Sequence, residues 1–204
     1  MFHPTKIIAI GLNYLDHAKE FNMEIPECPL IFMKPPTAVI GNGETILYPP
    51  QTKELHYEGE LGIVIGKKTR NVSVEDAKHY IAGYTCANDV TARDLQRLDG
   101  QWTRSKSFDT FCPLGPKIAK NIVPTNLAIA TRVNGIVKQS SNTNQMIFNA
   151  FKLVSFISAI MTLMPGDIIS TGTPPGVGEL QIGDVVEVEI EGIGILRNTV
   201  GVKE

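Results

Sequence analysis

The sequence predicts an α+β protein made mainly of strands, a β-rich mixed roll or barrel with a few short helices. Three observations predict this class. Apolar segments of strand length outnumber helical ones, and most are joined by short turns. One of them, LAIATRVNGIVK, contains the Asn134-Gly135 pair typical of a hairpin turn. Towards the C-terminus, glycine turns separate GDIISTG, DVVEVEIEG and IGILRNTVGV. Strands joined in this way argue against a doubly wound parallel sheet.

Local signals predict the other elements in turn. Apolar runs that end at glycine or polar residues predict strands over residues 6–10, 56–66 and 81–89. Helical spacing or a capping residue predicts helices over residues 14–21, 73–80, 91–98 and 146–163. Ser73 and Thr91 are the expected N-caps of the second and third of these helices. Residues 99–116 lack periodicity, which predicts a long loop.

Length and composition limit the classes of protein to consider. At 204 residues the chain is long enough for one core, so we expect a single domain over residues 1–204. A formal net charge of −2 without a basic cluster argues against nucleic acid. The longest stretch without charge, residues 153–166, is too short to span a membrane. Three widely spaced cysteines, with no signal peptide before them, indicate reduced thiols and a cytoplasmic location.

The segment HYEGE, residues 56–60, places two carboxylates on one face of a predicted strand. Because side chains alternate along a strand, His56, Glu58 and Glu60 should point the same way. Adjacent like charges cost stability unless a group such as a bound cation offsets them, and Asp89 at the end of the strand 81–89 offers a third carboxylate. Three carboxylates suit Mg²⁺, Mn²⁺ or Ca²⁺, whereas His56 as a ligand would favour iron or zinc. Spacing alone favours a simpler alternative, the solvated face of an edge strand.

Several segments together carry a resemblance to a known family. They are IGLNYLDHAKE, PLIFMKPPTAV, HYEGELGIVIG, GYTCANDVTARDLQ, RSKSFDTFCPLGP, VNG, MIF and PGDIISTGTPPGVG. In this order the sequence resembles the catalytic C-terminal domain of the fumarylacetoacetate hydrolase family. Among its members, the chain is most similar to short acylpyruvases with oxaloacetate decarboxylase activity and to 2-hydroxyhepta-2,4-diene-1,7-dioate isomerases. The resemblance implies the roll or barrel of that domain type, a homodimer, and no extra N-terminal domain.

The resemblance also implies a metal centre. Glu58, Glu60 and Asp89 would bind Mg²⁺ or Mn²⁺, with His56 outside the coordination sphere. Three carboxylates leave open positions on an octahedral ion, which a 2-oxo acid can fill through its carboxylate and 2-oxo oxygens. Such an ion stabilises the enolate formed when a neighbouring C–C bond breaks. Lys106, in RSKSF, matches the active-site lysine of the family, which can hold a substrate oxygen. Taken alone, it would be an exposed loop lysine.

Other matching residues surround this centre. His17 and Glu20, three residues apart in a predicted helix, can form an oriented base for water, and the resemblance places them on a lid segment at about residues 13–28. Arg93 and Gln96 have the same spacing and match positions that hold the distal end of the substrate. Thr173, in STGTPPGVG, matches a substrate-contacting residue whose hydroxyl suits a carboxylate. The turn lacks the spacing of a nucleotide-binding loop. Without the family, these groups would be surface helix faces and a plain turn.

The expected function is C–C bond cleavage in small 2-oxo or 1,3-diketo acids by a divalent-metal-dependent hydrolase or decarboxylase. Acylpyruvate hydrolysis and oxaloacetate decarboxylation are the reactions implied. Leu12 stands where acylpyruvase relatives often carry arginine. This difference keeps open a 2-hydroxyhepta-2,4-diene-1,7-dioate isomerase or decarboxylase of aromatic-acid catabolism. A third alternative is a metal-binding scaffold that has kept the fold and lost its activity.

Overall fold

The computed structural model describes residues 2–20 and 24–202. Over these residues the strands are β1 (Ile7–Gly11), β2 (Leu30–Lys34), β3 (Val39–Ile40), β4 (Thr45–Leu47), β5 (Leu55–Tyr57), β6 (Gly59–Ile65), β7 (Ile81–Asn88), β8 (Thr91–Ala92), β9 (Cys112–Ala119), β10 (Ala128–Val133), β11 (Ile136–Asn142), β12 (Ile168–Ser170), β13 (Gly178–Glu179), β14 (Val185–Ile190) and β15 (Gly194–Gly201). The helices are α1 (Leu15–Glu20), α2 (Arg93–Asp99), α3 (Thr103–Lys106) and α4 (Ala150–Ile160). Short 3-10 turns occur at Pro36–Ala38, Ala77–Tyr80 and Thr143–Gln145.

The described strands form three sheets. Their orders are β2-β1-β12-β6-β7-β9-β3 in a seven-stranded sheet, β11-β10-β14-β15-β4 in a five-stranded sheet and β13-β5-β8 in a three-stranded sheet. Most neighbours are antiparallel, with exceptions such as the parallel pairs of β1 with β12 and β15 with β4. This arrangement confirms the predicted β-rich mixed roll and excludes a doubly wound sheet.

The main hydrophobic core lies between the two larger sheets and helix α4. Leu61 of β6, Val188 of β14 and Leu153 of α4 all belong to one buried cluster. Helix α4 begins after Asn149, whose side-chain oxygen accepts hydrogen bonds from two backbone N–H groups of the first turn. The helix predicted over residues 146–163 is confirmed, but the prediction is too long at both ends. Met146 and Leu163 form isolated strand-type bridges instead, with Tyr14 and Thr69.

The hairpin predicted from Asn134-Gly135 is confirmed. Strands β10 and β11 pair antiparallel on either side of it, with Val133 opposite Ile136. Asn134 and Gly135 have φ values of 52° and 79°. A two-residue hairpin turn of this kind needs positive φ at both central residues, which asparagine and glycine adopt most easily.

Three local predictions are wrong. Residues 73–80 form a turn and a 3-10 segment, because Ala77 is the one buried side chain of that segment and no apolar stripe sustains a helix. Thr91 lies in β8, and its hydroxyl donates to the carbonyl of Asp89, so Ala92 is the residue before α2. The loop predicted over residues 99–116 contains α3 and the start of β9, which pairs with β7. Tertiary pairing determines that strand, because its own sequence shows no alternation.

Two smaller expectations can be compared with the structure. No helix in the described part of the chain combines the length and apolar character needed to cross a membrane. The three cysteines are free thiols, as predicted, with Cys86 and Cys112 buried and Cys28 exposed.

Parallel pairing of β1 with β12 brings the loops that follow them to one edge of the sheet. Asn13, after β1, donates from Nδ2 to the Thr171 carbonyl at 2.7 Å. At the opposite end, Asp167 accepts hydrogen bonds from Thr5 N at 2.9 Å, Thr5 Oγ1 at 2.7 Å and Lys6 Nζ at 2.5 Å. Burial alone would raise the pKa of Asp167, but these and further hydrogen bonds outweigh it and keep the pKa below its usual value.

Replacing Asp167 with asparagine is expected to lower the free energy of unfolding by about 2–3 kcal/mol at pH 7, because a charged acceptor within a buried network is lost. A carboxyl group with a depressed pKa stabilises the fold above its unfolded pKa of about 4, and this contribution disappears as pH falls through the lower folded value. The deficit of the variant should therefore be constant above about pH 5 and shrink below about pH 4. Urea unfolding across this range measures it, with exposed Asp109→Asn as the control. Equal stability of Asp167→Asn and wild type at pH 7 would contradict it.

Candidate active site

The strand predicted over residues 56–66 is broken at Glu58. Strand β5 ends at Tyr57 in the three-stranded sheet, and β6 begins at Gly59 in the seven-stranded sheet. At the break, Glu58 N donates to Asn88 Oδ1 at 2.9 Å, and Asp89 N donates to the Glu58 carbonyl at 2.9 Å. The prediction of one continuous strand is therefore wrong. The break and the pairing of β6 with β7 bring Glu58 and Asp89 together.

Glu58, Glu60 and Asp89 form a compact, buried cluster. One carboxylate oxygen from each lies within 4.8 Å of the others. Their exposed fractions are 7%, 1% and 2%, so the alternative of a solvated strand face is wrong. An anionic, all-oxygen set of this size fits Mg²⁺, Mn²⁺ or Ca²⁺. His56 lies outside the cluster, which leaves iron and zinc without the nitrogen ligand that would favour them.

Three cations surround the carboxylates. Lys106 Nζ donates to Glu58 Oε2 at 2.8 Å and to Asp89 Oδ2 at 2.6 Å. Lys34 Nζ contacts the other oxygen of Asp89, and Arg93 Nη2 contacts the other oxygen of Glu58. Burial alone would lower the pKa of Lys106, but the Asp89 and Glu58 charges outweigh it and hold the pKa above its usual value. Lys106 is therefore a buried ammonium ion and not the exposed loop lysine of the alternative.

The two glutamates have opposite electrostatic environments. Burial would raise the pKa of Glu58, but Lys106 and Arg93 outweigh it, so the pKa lies well below its usual range. Burial raises the pKa of Glu60, and the negative charges of Asp89 and Glu58 raise it further. The hydrogen bond from Ser170 Oγ at 2.6 Å and the Lys106 charge offset this rise only in part, and Gly172 N also donates to Glu60 at 2.8 Å. The position of Glu60 thus has a surplus of negative potential, which a divalent cation would relieve.

Lys34 is a residue of the site that sequence reasoning missed. It ends β2, is 1% exposed, and also donates to the Val90 carbonyl at 3.1 Å. A lysine that closes an apolar strand, here LIFMK before two prolines, was the available signal. A buried ammonium group needs an anionic partner, which in this fold is Asp89.

A cavity of about 520 Å³ opens onto the cluster. Its lining residues are Ile10, Gly11, Leu12, His17, Phe32, His56, Glu58, Glu60, Arg93, Gln96, Arg97, Trp102, Lys106, Thr173 and Val177. Of the predicted site residues, Asp89 and Glu20 do not line it, and each contacts a residue that does. The fold therefore gathers the predicted side chains, from segments far apart in sequence, around one cavity.

An aromatic pair forms part of the apolar wall. The rings of Phe32 and Trp102 meet edge to face with centroids 5.1 Å apart, and Lys106 Nζ lies 5.1 Å from the Phe32 centroid. Trp102 packs so closely on Gly11 that a Cβ added there would lie 2.7 Å from the indole ring. This wall excludes water from one side of the ammonium group and strengthens its electrostatic interactions.

Arg93 and Gln96 share one face of α2, as their spacing predicts. Arg93 Nη1 donates to Gln96 Oε1 at 2.5 Å, while Nη2 contacts Glu58. Arg93 Nε also approaches His56 Nδ1 at 3.5 Å. Burial and the Arg93 charge lower the pKa of His56 below its ordinary value. Arg93 therefore links the carboxylate cluster to the rim of the cavity.

The Thr173 hydroxyl group forms two hydrogen bonds within the protein. The hydroxyl donates to the Gly59 carbonyl at 2.9 Å and accepts from Gln139 Nε2 at 2.8 Å. In this arrangement the hydroxyl proton is directed to the Gly59 carbonyl, and contact of Thr173 with a substrate stays a prediction. Gln139 also accepts from Gly59 N at 3.0 Å and donates to the Pro174 carbonyl at 2.8 Å. Sequence reasoning missed Gln139, because a glutamine within a strand carries no signal of its own.

His17 and Glu20 face each other on α1. His17 Nδ1 and Glu20 Oε2 are 3.1 Å apart, and Glu20 Oε1 accepts from Gly176 N at 3.3 Å. The pair therefore connects the cavity, which His17 lines, to the 173–176 turn. The lid predicted at about residues 13–28 includes residues 21–23, which lie outside the described residues, so the lid remains a prediction.

Comparison with known proteins agrees with these features. Residues 6–201 match the sequence profile of the fumarylacetoacetate (FAA) hydrolase C-terminal family. A mitochondrial oxaloacetate tautomerase of Rattus norvegicus is 47% identical over 208 residues, covering 97% of this chain and 66% of the relative.

Two solved structures are also similar. One is a 2-hydroxyhepta-2,4-diene-1,7-dioate isomerase from Mycobacterium marinum, 47% identical with a TM-score of 0.93, covering 99% of this chain and 76% of that one. The other is a fumarylpyruvate hydrolase from Pseudomonas aeruginosa in complex with Mn²⁺ and pyruvate, 35% identical with a TM-score of 0.92, covering 99% and 91%. Sequence and fold thus agree over nearly the whole chain, which belongs to the fumarylacetoacetate hydrolase family and has the fold of its C-terminal domain.

Proposed function

We propose that this protein is a divalent-metal-dependent enzyme that cleaves a C–C bond in small 2-oxo or 1,3-diketo acids. Acylpyruvate hydrolysis and oxaloacetate decarboxylation are the reactions it would catalyse. The observation that carries the proposal is the buried cluster of Glu58, Glu60 and Asp89 beside the Lys106 ammonium group, next to a cavity of small-molecule size. A buried set of charged groups adds little net stability, because desolvation offsets the attraction within its ion pairs, whereas it suits binding of a metal ion and an anionic substrate.

The charges favour an acidic substrate. Three carboxylates are balanced by Lys34, Lys106 and Arg93, so a divalent cation would leave the site with an excess of two positive charges. An anion such as a 2-oxo acid, or its enolate, would offset that excess. The fumarylpyruvate hydrolase crystallised with Mn²⁺ and pyruvate supports the same substrate class.

Each group has a role in this reaction. A divalent ion held by Glu58, Glu60 and Asp89 would supply Lewis-acid polarisation of the oxygens of the 2-oxo acid. Lys106 would hold an anionic substrate oxygen within the partly apolar cavity, where its charge is most effective. Glu20 fixes the His17 ring through Nδ1, so the ring would take a proton from water through Nε2. Oxaloacetate decarboxylation requires no water attack, because CO₂ is the fragment that leaves.

A substrate panel tests the proposal. Purified, metal-stripped protein is mixed with Mg²⁺ or Mn²⁺ and with acetylpyruvate, fumarylpyruvate, oxaloacetate or 2-hydroxyhepta-2,4-diene-1,7-dioate, while absorbance and pyruvate are followed. Metal-dependent release of pyruvate from a diketo acid or oxaloacetate is expected. Turnover of the dienedioate alone would favour the second candidate. Absence of turnover with all four acids, together with a Tm that rises when metal is added, would favour a metal-binding scaffold.

A second candidate is isomerisation, or decarboxylation, of a dienedioate. The apolar side chain of Leu12 lines the cavity and offers no charge to a substrate carboxylate. The isomerase and the oxaloacetate tautomerase to which this chain is similar are named for reactions that move a proton within the substrate and need no water. These reactions use the same enolate-stabilising groups, so the requirement for a base that activates water separates the two candidates.

Replacing His17 with alanine is expected to lower kcat for acylpyruvate hydrolysis by about 10²–10³-fold, because the base for water is lost. Isomerisation of the dienedioate should keep most of its rate. Pyruvate release and dienedioate absorbance measure the two reactions in the same preparation. Exposed His79→Ala is the matched control and should behave as wild type in both. Hydrolysis at the wild-type rate in His17→Ala would remove His17 from the mechanism.

A further inference from the structure

One side of strand β11 contacts both the cavity wall, at Thr173, and helix α1, at Asp16. Gln139 and Ser141 are two residues apart in this strand, so their side chains point to the same side. Gln139 holds Thr173, as described above, while Ser141 Oγ donates to Asp16 Oδ2 at 2.5 Å. Neither Ser141 nor Asp16 lines the cavity, so any effect of this contact on chemistry must pass through a neighbour.

Helix α1 depends on such contacts for its position. With six residues it is too short to be stable by itself in water. Its backbone closes one turn through the hydrogen bond from Ala18 N to the Tyr14 carbonyl at 2.9 Å. Side-chain contacts then attach the helix to the rest of the protein, at Asp16 in its first turn and at Glu20 in its last.

The contact at Asp16 connects β11 directly to the His17 backbone. Asp16 Oδ1 accepts from His17 N at 3.0 Å, and Asp16 Oδ2 accepts from Ser141 Oγ at 2.5 Å. One carboxylate group therefore joins the strand to the residue whose ring lines the cavity. Both contacts have a carboxylate acceptor, but the 2.5 Å hydrogen bond at Asp16 is much shorter than the 3.3 Å contact at Gly176, so it holds the first turn more tightly than the other holds the last.

We propose that Ser141 and Asp16 are positioning residues that fix the first turn of α1 and thereby aim the His17 ring into the cavity. This inference rests on the proposed function, in which His17 activates water. It assigns roles to two residues that touch neither substrate nor metal. Asp16 contacts Ser141 and Glu20 contacts Gly176, so the His17–Glu20 pair is oriented from both ends of the helix.

Hydrogen exchange and turnover of three variants test the proposal. Ser141→Ala removes the hydroxyl, Ser141→Thr keeps it, and exposed Ser140→Ala is a matched control on the neighbouring position of the strand. In Ser141→Ala, amide exchange in a peptide covering residues 14–20 should rise by roughly tenfold, the effect of one such hydrogen bond. Exchange in β6, β10 and β11 should stay as in wild type. Ser141→Thr should restore protection, and Ser140→Ala should not alter it.

Turnover measurements test whether the Ser141–Asp16 hydrogen bond contributes to catalysis. In Ser141→Ala, kcat for metal-dependent acylpyruvate hydrolysis should fall by roughly tenfold with KM nearly unchanged, and Ser141→Thr should recover it. Unaltered exchange at residues 14–20, or faster exchange spread through β10 and β11, would overturn the anchoring role. Faster exchange at 14–20 with full hydrolysis would overturn the positioning role. Absence of hydrolysis in wild type would instead refute the proposed function, while the exchange result would still decide whether Ser141 anchors the helix.

Discussion

Metal-dependent turnover should fall by at least about a thousandfold when Glu60 is replaced with glutamine, since one of three anionic metal ligands is lost. Glutamine keeps an oxygen that can accept from Ser170 Oγ and Gly172 N, so the variant should fold. In wild type, added Mg²⁺ or Mn²⁺ should raise Tm, because an ion that binds only the folded state stabilises it. In Glu60→Gln that rise should be lost or greatly reduced.

Pyruvate release and thermal unfolding with and without metal are the two measurements. Glu189→Gln is the matched control, because Glu189 forms a partly exposed ion pair with Arg132 on the surface of β14. It should change Tm little and keep the response to metal. Full turnover by Glu60→Gln would remove this carboxylate from the site. Loss of turnover with an intact metal-dependent rise in Tm would assign Glu60 a role other than metal binding.

Replacing Lys106 with methionine should have two separate effects. The free energy of unfolding without added metal should fall by about 3–5 kcal/mol, because Glu58 and Asp89 lose the buried cation that contacts both of them. Turnover should fall by about 10²–10³-fold, because no ammonium group remains to hold an anionic substrate oxygen. Methionine retains most of the volume of the side chain, so a cavity is not the cause of either effect.

Adding metal distinguishes the two effects of Lys106→Met. A divalent cation should restore part of the lost stability by balancing the carboxylates, while turnover should stay low. Urea unfolding and the pyruvate assay measure the two quantities on the same samples. Exposed Lys117→Met is the control and should match wild type in both. Turnover that returns together with stability would mean that Lys106 serves the fold and not the reaction.

The sequence predicted the carboxylate cluster better than it predicted the local elements around it. The carboxylates of HYEGE and Asp89 could be recognised as a ligand set through the family resemblance, because their spacing alone favoured a solvated strand face. The Asn134-Gly135 hairpin was also readable, since its conformation is a property of those two residues. By contrast, the helix at residues 73–80 and the loop over 99–116 were misjudged, because packing and strand pairing decide those segments.

By itself, the sequence determined the strand-rich class and, through the motifs of the family, the three carboxylates of the buried cluster, because strand patterning and motifs are properties of residue types and short-range spacing. Tertiary structure alone decided that Lys34 reaches Asp89, that Gln139 holds Thr173, and that Ser141 contacts Asp16 across 125 positions of chain. It also decided that Glu58 breaks its strand and meets Asp89. The physical reason is that a buried polar group must find its partner in space, and pairing between distant strands sets which partner that is.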